Sequence, residues 1–520
     1  MGTFINRGNA GFQSFRNSEF VDKSMLISEV NRTLFTEFRF TCVSRCRRFG
    51  KSMAAKMLAA YYDRSCDSRE LFSDLEIANH PSFEKNLNKY PVIYLDMTHY
   101  VTGSKKNVVS KIEKDLKADI IDAYPDVALK KNDDLMTVLY RIATSNGEKF
   151  IFIIDEWDAI CREFPSDSPE IVQYMDWLRK MFKSLPSVDV FAGVYMTGIL
   201  PIKKYNTQSA LNNFIEYSVI DPRRMAGLFG FTKDEVKRLS EKFGMEFGEL
   251  EKWYDGYCIG NEPSMFNPYS VMQALDSGWC TDYWGKTAAY DAIVPYITMN
   301  FEGLKDDIIS MLSGGRCRVN PAGFENDLSV VHSKDDALTV LIHLGYLSYD
   351  RSKGECFIPN REVAIEMENA VKRTDWSVVR SLQASESLLK DTLAGKEDAV
   401  AKGIDMAHDE NTSILSYNDE NSLACVLCIA YYSARDYYTI HREFPSGKGY
   451  ADLVMIPKKG VDSPAMVIEL KCDSSPDAAI DQIKSRNYSS KVSEYAGDIL
   501  LVGINYDKKT KTHSCRIERV

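Results

Sequence analysis

Four nearly unbroken apolar runs, residues 38–43, 92–95, 150–154 and 190–196, are separated by amphipathic stretches in the first half of the chain. Runs this short and this free of polar alternation are strands buried on both faces, which is the condition of a parallel sheet covered by helices. The segment Ser52 to Tyr62 supplies the helical side of the pattern, with Met53, Met57, Leu58 and Tyr61 at helical spacing. An α/β fold with a parallel sheet is therefore expected over residues 38–270. At 520 residues the chain is too long for one ordinary core, so two or three domains are expected.

Beyond that sheet, residues 221–390 read as mostly helical, with loops at 261–268 and 313–323. Within them, Ala337 to Leu347 predicts a short apolar helix ending at Gly345, followed by a two-strand ribbon turning at Lys353 and Gly354. Together these resemble a small winged helix, which serves in multi-domain ATPases more often as a lid or spacer than as a DNA reader. The alanine-rich segment 389–411 opens a last domain. It continues through a helix (422–433), strands (438–443, 452–456, 466–470), a helix (477–487) and a final strand (499–504). The expected division is a parallel-sheet α/β domain over 1–220, a helical, winged-helix-like region over 221–388, and a second α/β domain over 389–520.

Composition limits the partners. Hydrophobic residues at 44% and charged residues at 27% are those of packed domains. A net charge of −10 excludes a chain that attracts polyanions as a whole, so any nucleic-acid contact must come from a local groove, with metal ions offsetting the phosphates. The first residues lack a signal-peptide core and no stretch reaches the length of a membrane span, which predicts a cytoplasmic protein with no membrane partner. The 12 cysteines are scattered, so reduced thiols are expected. The pair Cys425 and Cys428 has no second pair or nearby histidine couple, which argues against zinc.

Two constellations carry chemistry. The first is Ser44-Arg45-Cys46-Arg47-Arg48-Phe49-Gly50-Lys51-Ser52, between a buried strand and a helix, the setting in which a P-loop works. Backbone N–H groups at the helix start can face phosphate oxygens, Gly50 allows close approach, Lys51 can reach the terminal phosphates and Ser52 can ligate Mg²⁺. Arg45 stands where the full pattern has glycine. The run 150–154 ends in Asp155-Glu156, as a Walker B strand does: Asp155 would hold the magnesium and Glu156 orient the attacking water. Thr197, ending a third buried strand, either senses the terminal phosphate or caps the strand. Arg45, Arg47 and Arg48 either meet phosphate, the favoured reading, or pair with acidic neighbours to fix the loop.

The second is Gly449-Tyr450-Ala451-Asp452 followed by Val467-Ile468-Glu469-Leu470-Lys471. Strand residues two apart share a face, so Glu469 and Lys471 point together while Ile468 and Leu470 face the core. With Asp452 from the adjacent strand, two carboxylates can hold Mg²⁺ or Mn²⁺ through oxygen. The metal would polarise a phosphodiester while Lys471 steadies the attacking water or the developing charge. Glu420, before an apolar helix, can complete the metal shell, and Glu443 is another candidate; Gln482 and Tyr488 follow downstream, where Gln482 can touch the attacking water or the backbone.

These residues resemble a family of bacterial and archaeal proteins with an AAA-ATPase-like N-terminal domain and a C-terminal PD-(D/E)XK nuclease domain. Further marks are Phe20-Val21-Asp22-Lys23, Ile154 to Asp158, Thr197-Gly198, Leu211-Asn212-Asn213, Phe229 to Thr232, Trp253 to Tyr257, Asn267 to Ser270, Gly345-Tyr346-Leu347, Pro359-Asn360 and Gln482-Ile483. The resemblance implies ATP binding at Lys51 and Ser52 and metal-dependent DNA cleavage by Asp452, Glu469 and Lys471, in mobile-element or defence biology. Such ATPases often oligomerise, which leaves a homo-oligomer open. Two positions depart from the family pattern: Cys46 replaces a proline and Tyr450 an arginine. The rival reading is a regulatory or scaffolding NTPase whose nuclease-fold domain only binds.

Overall fold

In the computed structural model the described residues are 2–102, 106–128, 133–165, 168–202, 204–205, 208–209, 211–285, 293–299, 301–327, 330–372, 378–410, 420–446, 449–486, 492 and 498–520. The chain divides into two compact units, one made of Met1–Ala289 with Arg318–Ile365, the other of Tyr290–Cys317 with Glu366–Val520.

The first unit is built on strands β1 (Phe40–Ser44), β2 (Val92–Asp96), β3 (Phe150–Asp155), β4 (Phe191–Gly198) and β5 (Ile215–Tyr217), with helix α1 (Lys51–Tyr62) leaving β1. They form one sheet in the order β2-β3-β4-β1-β5, every neighbour parallel. Successive residues go to opposite cores: Phe150, Phe152 and Ile154 join one buried cluster, Ile151 and Ile153 the other. That two-sided burial is why the runs carry no polar alternation.

After the sheet, β6 (Phe231–Thr232), β7 (Tyr257–Ile259) and β8 (Glu262–Phe266) form a small antiparallel sheet in the order β6-β8-β7. The expectation of a loop over 261–268 is corrected here. Pro263 reads as a breaker because it lacks an N–H, and the β7–β8 ladder absorbs it with a register shift between Glu262 and Met265. Helix α2 (Lys233–Phe243) starts on a Thr232–Glu235 capping box, and α3 (Pro268–Ser277) on Asn267, whose side chain accepts two backbone N–H groups. Helix α4 (Lys334–Leu344) ends on Gly345 and leads into the hairpin β9 (Ser348–Asp350) and β10 (Glu355–Phe357), the winged-helix-like element.

In the second unit, helices α5 (Val378–Leu393), α6 (Glu397–Glu410) and α7 (Glu420–Ala430) precede strands β11 (Tyr438–Ser446), β12 (Gly449–Pro457) and β13 (Ala465–Cys472). Helix α8 (Pro476–Ser485), β14 (Ile499–Asp507) and β15 (Thr512–Arg519) complete it. The sheet order is β11-β12-β13-β14-β15; only β13 and β14 run parallel, joined through α8. Leu453, Ile468, Leu470 and Val502 pack on one face with residues of α5 to α7, while Val454, Val467 and Leu501 pack on the other with Ile480 and Ile483 of α8. Strand β15 lies beyond the final strand expected at 499–504. As an edge strand with His513 its one buried residue, it lacks the apolar pattern that marks a strand.

Candidate functional site

The loop between β1 and α1 is held in place by its own side chains. Gly50 caps α1 with φ at 85°, a left-handed backbone that glycine adopts without steric cost. Arg45, favoured above as a phosphate ligand, is fully buried and donates to the carbonyls of Ser44, Tyr217 and Met225 at 2.8, 2.7 and 2.8 Å. Its hydrogen bonds all go to backbone carbonyls and its guanidinium lies over the Phe229 ring at 5.1 Å, so it fixes the loop, and the phosphate reading is corrected at this residue. Arg48 stacks on the Tyr269 ring at 4.1 Å and donates to the Tyr283 carbonyl at 3.0 Å. Among the described residues the Arg47 guanidinium has no hydrogen bond or ion pair.

A cavity of about 790 Å³ opens over this loop, lined by Arg48, Gly50, Lys51, Ser52 and Glu156. Its other wall is apolar, with Phe20, Phe229, Phe231, Tyr269 and Met272. A polar end beside backbone N–H groups and an aromatic wall opposite suit a ligand with phosphates and a flat base. Arg47, Asp155 and Thr197 do not line it. Asp155 and Thr197 are register partners at the ends of β3 and β4, both buried. Burial pushes the Asp155 carboxyl up to about 6, with the Ser52 hydroxyl favouring the ionised form and the Glu156 charge opposing it. Asp155 Oδ2 accepts from Tyr94 at 3.0 Å, while its Oδ1 and the Thr197 hydroxyl are buried with no hydrogen-bond partner among the described residues. An unpartnered carboxylate oxygen beside Ser52 fits a cation at this point.

Sequence reasoning gave Lys23 no role beyond that of a mark; it lines the cavity and reaches the Gly227 carbonyl at 2.9 Å and Glu235 at 2.8 Å. It also gave no role to Tyr94, an apolar-run residue whose hydroxyl meets Asp155. Phe20 to Lys23 and Phe229 to Phe231 were visible as marks, but nothing local in them signals a shared wall.

In the second unit, the β12–β13 pairing ends at Leu453 with Ile468. One step further the Asp452 carboxylate takes over, its Oδ2 accepting the Leu470 N–H at 2.7 Å. Glu469 is 2% exposed, and its Oε1 accepts from Lys471 at 3.4 Å and from the Gln482 amide. Burial pushes the Glu469 carboxyl up to about 7; the Asp452 charge adds to this and Lys471 opposes it. Its Oε2 is buried without a hydrogen-bond partner among the described residues. Two coupled carboxylates, one with an orphaned oxygen, fit a divalent cation. Gln482 reaches Glu469 because α8 lies close on the sheet: a Cβ on Gly503, the register partner of Glu469, would stand 2.3 Å from the Pro476 carbonyl oxygen. The structure thus brings Asp452, Glu469, Lys471 and Gln482 together.

Glu443 is exposed, with φ at 49°, between the pairs Arg442–Leu453 and Phe444–Ala451, so it stands opposite Asp452 in the ladder. Glu420 begins α7, but its side chain lies outside what is described, as does Tyr488. Among the described residues no group of three or more His, Cys, Asp or Glu is arranged to hold a metal, and no helix is long and apolar enough to cross a membrane.

Comparison with known proteins matches both halves. Residues 8–207 match the family model of a predicted AAA-ATPase, and residues 418–515 that of the PD-(D/E)XK nuclease superfamily. The chain is 24% identical over 261 residues to an uncharacterized protein in the vnfD 5' region of Azotobacter chroococcum mcd 1; the match covers 49% of this chain and 49% of that protein. Similar solved structures include Cdc6p from Pyrobaculum aerophilum, 10% identical with a TM-score of 0.26 over 67% of this chain and 93% of that one. The ADP form of the Aeropyrum pernix ORC2 protein is 9% identical, with a TM-score of 0.30 over 70% of this chain and 98% of that one.

Proposed function

We propose that this chain, an AAA-ATPase-like segment followed by a PD-(D/E)XK nuclease-superfamily segment, is an ATP-regulated, metal-dependent nuclease that cleaves phosphodiester bonds, with DNA as its substrate. The observation that carries the reading is the pairing of Asp452 with Glu469 beside Lys471, with one buried Glu469 oxygen left unpartnered. A divalent cation, Mg²⁺ or Mn²⁺, held by Asp452 and Glu469 would polarise the scissile phosphodiester. Lys471, partly exposed, offers its ammonium to the charge that develops on the phosphate. Gln482 fixes the Glu469 rotamer through its amide. In the other unit, Gly50 to Ser52 line the cavity and would cradle the nucleotide phosphates, with Glu156 orienting water; Ser52 with the buried Asp155 would hold their magnesium, and the buried Thr197, outside the cavity lining, would sense the terminal phosphate through them. The setting is a cytoplasmic one, in defence or mobile-element biology, with homo-oligomers as a further element of the reading.

The test incubates plasmid and linear DNA with Mg²⁺ or Mn²⁺, with and without ATP, against Lys471→Ala. Metal-dependent cleavage that responds to ATP and disappears in the variant supports the reading; cleavage that persists in the variant discards the site. A second reading, a regulatory NTPase with a nuclease-fold binding module, draws on Arg45 standing where the P-loop pattern has glycine and on Tyr450, 64% exposed where the family pattern has arginine. Mn²⁺ titration separates the two, since a binding module need not hold the ion.

A further inference from the structure

The glutamate that follows β3 is gripped from behind. Glu156 has φ at 51°, a strained backbone state for a non-glycine residue that persists where surrounding contacts impose it. Its two oxygens have different partners. Oε1 faces Lys51 Nζ at 3.8 Å, on the cavity side, while Oε2 accepts an N–H of Arg162. Arg162 is itself anchored: its Nε donates to Asp158 Oδ2 at 3.1 Å, one helical turn earlier. The same Asp158 oxygen accepts the backbone N–H groups of Ile199 and Leu200 at 3.2 and 3.0 Å, in the segment that follows Thr197. Asp158 is fully buried and the Arg162 side chain 13% exposed, so water offers the guanidinium little alternative to this geometry.

We propose that Arg162 is a positioning residue for Glu156: anchored on Asp158, it pins Oε2 and leaves Oε1 as the oxygen presented to the phosphate end of the cavity. The proposal rests on the reading of this cavity as an ATP-hydrolysing site. With a nucleotide bound, Lys51 has phosphate oxygens to meet, and Oε1 becomes free while Oε2 keeps its cation. In the step itself a water oxygen bonds to the γ-phosphorus as the bond from that phosphorus to the β–γ bridging oxygen breaks. ADP leaves with the electron pair, and the water proton passes to Oε1 and then to the released phosphate. A carboxylate pinned at one oxygen holds that water in one direction; an unpinned one rotates.

The experiment measures phosphate release and MgATP binding by the full chain for wild type, Arg162→Gln, Arg162→Lys, Glu156→Gln and the Arg162→Gln/Glu156→Gln pair. Arg162→Gln is expected to lower kcat on the order of 10- to 100-fold, the usual loss when a supporting partner goes, with KM for ATP within about twofold. Arg162→Lys is expected to restore part of the rate. In the Glu156→Gln background the second substitution is expected to change nothing, because it acts through the missing carboxylate. Losses that multiply in the double variant, a KM effect at constant kcat, or a faster Arg162→Gln enzyme would overturn the proposal. Should Arg162→Gln unfold, Asp158→Asn keeps an oxygen for Ile199 and Leu200 but removes the buried charge that anchors the guanidinium, and is expected to lower kcat in the same direction; an unchanged kcat there overturns it. Wild type that binds MgATP without releasing phosphate overturns this proposal alone, whereas wild type that binds no nucleotide overturns the reading of the cavity.

Discussion

Asp452 Oδ2 accepts the Leu470 N–H at 2.7 Å, so a carboxylate stands where a continuing β-ladder would place a backbone carbonyl. The bond ties the metal-binding proposal to the sheet: strands β12 and β13 part at this point, and the acid that bridges the gap is the one offered to the cation. Asp452→Asn keeps an oxygen for Leu470 and is expected to cost no more than about 1 kcal/mol in stability. It is expected to weaken Mn²⁺ binding and DNA cleavage by about 10- to 100-fold or more. Thermal melts and Mn²⁺ calorimetry on the same samples check both; an Asn variant with wild-type metal affinity removes Asp452 from the site.

Gln482 touches Glu469 and no metal role is assigned to it, so its removal tests orientation alone. Gln482→Leu, close in volume, is expected to slow cleavage about 10- to 100-fold while shifting the Mn²⁺ concentration needed for half activity upward. A variant that loses rate at unchanged metal dependence would place Gln482 beside the substrate instead.

The arginines of the loop before α1 separate in the same way. Arg45→Met leaves the carbonyls of Ser44, Tyr217 and Met225 without their buried donor. At about 1–3 kcal/mol for each unsatisfied group, a loss of several kcal/mol in stability is expected, seen as a lowered denaturant midpoint. Arg48→Ala removes a half-buried side chain from the cavity wall and is expected to weaken MgATP binding with a much smaller effect on the midpoint. Equal destabilisation by the two changes would contradict the division of labour.

That division marks where the sequence stopped being legible. The parallel sheet was readable because burial on both faces removes polar residues from β1 to β4. Lys51, Asp155, Glu469 and Lys471 were readable because strand ends and the two-residue repeat of a strand set their faces. Arg45 was misjudged because three arginines within four positions look alike until the carbonyls of Tyr217 and Met225, far along the chain, come beside one of them. Lys23 and Arg162 escaped for the same reason, their partners being set by tertiary packing. Strand β15 escaped because an edge strand has one neighbour and no need of apolar alternation.

Glu362 gives the first unit a pH dependence whose sign follows from its surroundings. The carboxyl is fully buried, Oε1 accepting the Tyr283 and Trp284 N–H groups at 2.8 and 3.0 Å while Oε2 has no hydrogen-bond partner among the described residues. Burial pushes it up to about 7, with Ser270 and the two backbone N–H groups opposing the rise and the Asp282 charge adding to it. Below pH ~4.5 both folded and unfolded chains hold the proton and the group is neutral to stability. Between ~4.5 and about 7 the folded chain keeps a proton that the unfolded chain has lost, so stability falls as pH rises and levels off above about 7. The difference amounts to about 3 kcal/mol at most, at ~1.4 kcal/mol for each pH unit of the gap. Glu362→Gln keeps an acceptor for both N–H groups and has no proton to lose. Asp155 and Glu469 are also raised, so the measurement is the difference between the two proteins. Denaturant midpoints at pH 5 and pH 8 are expected to fall further for wild type than for Glu362→Gln, and parallel curves would show that Glu362 titrates as an ordinary carboxyl.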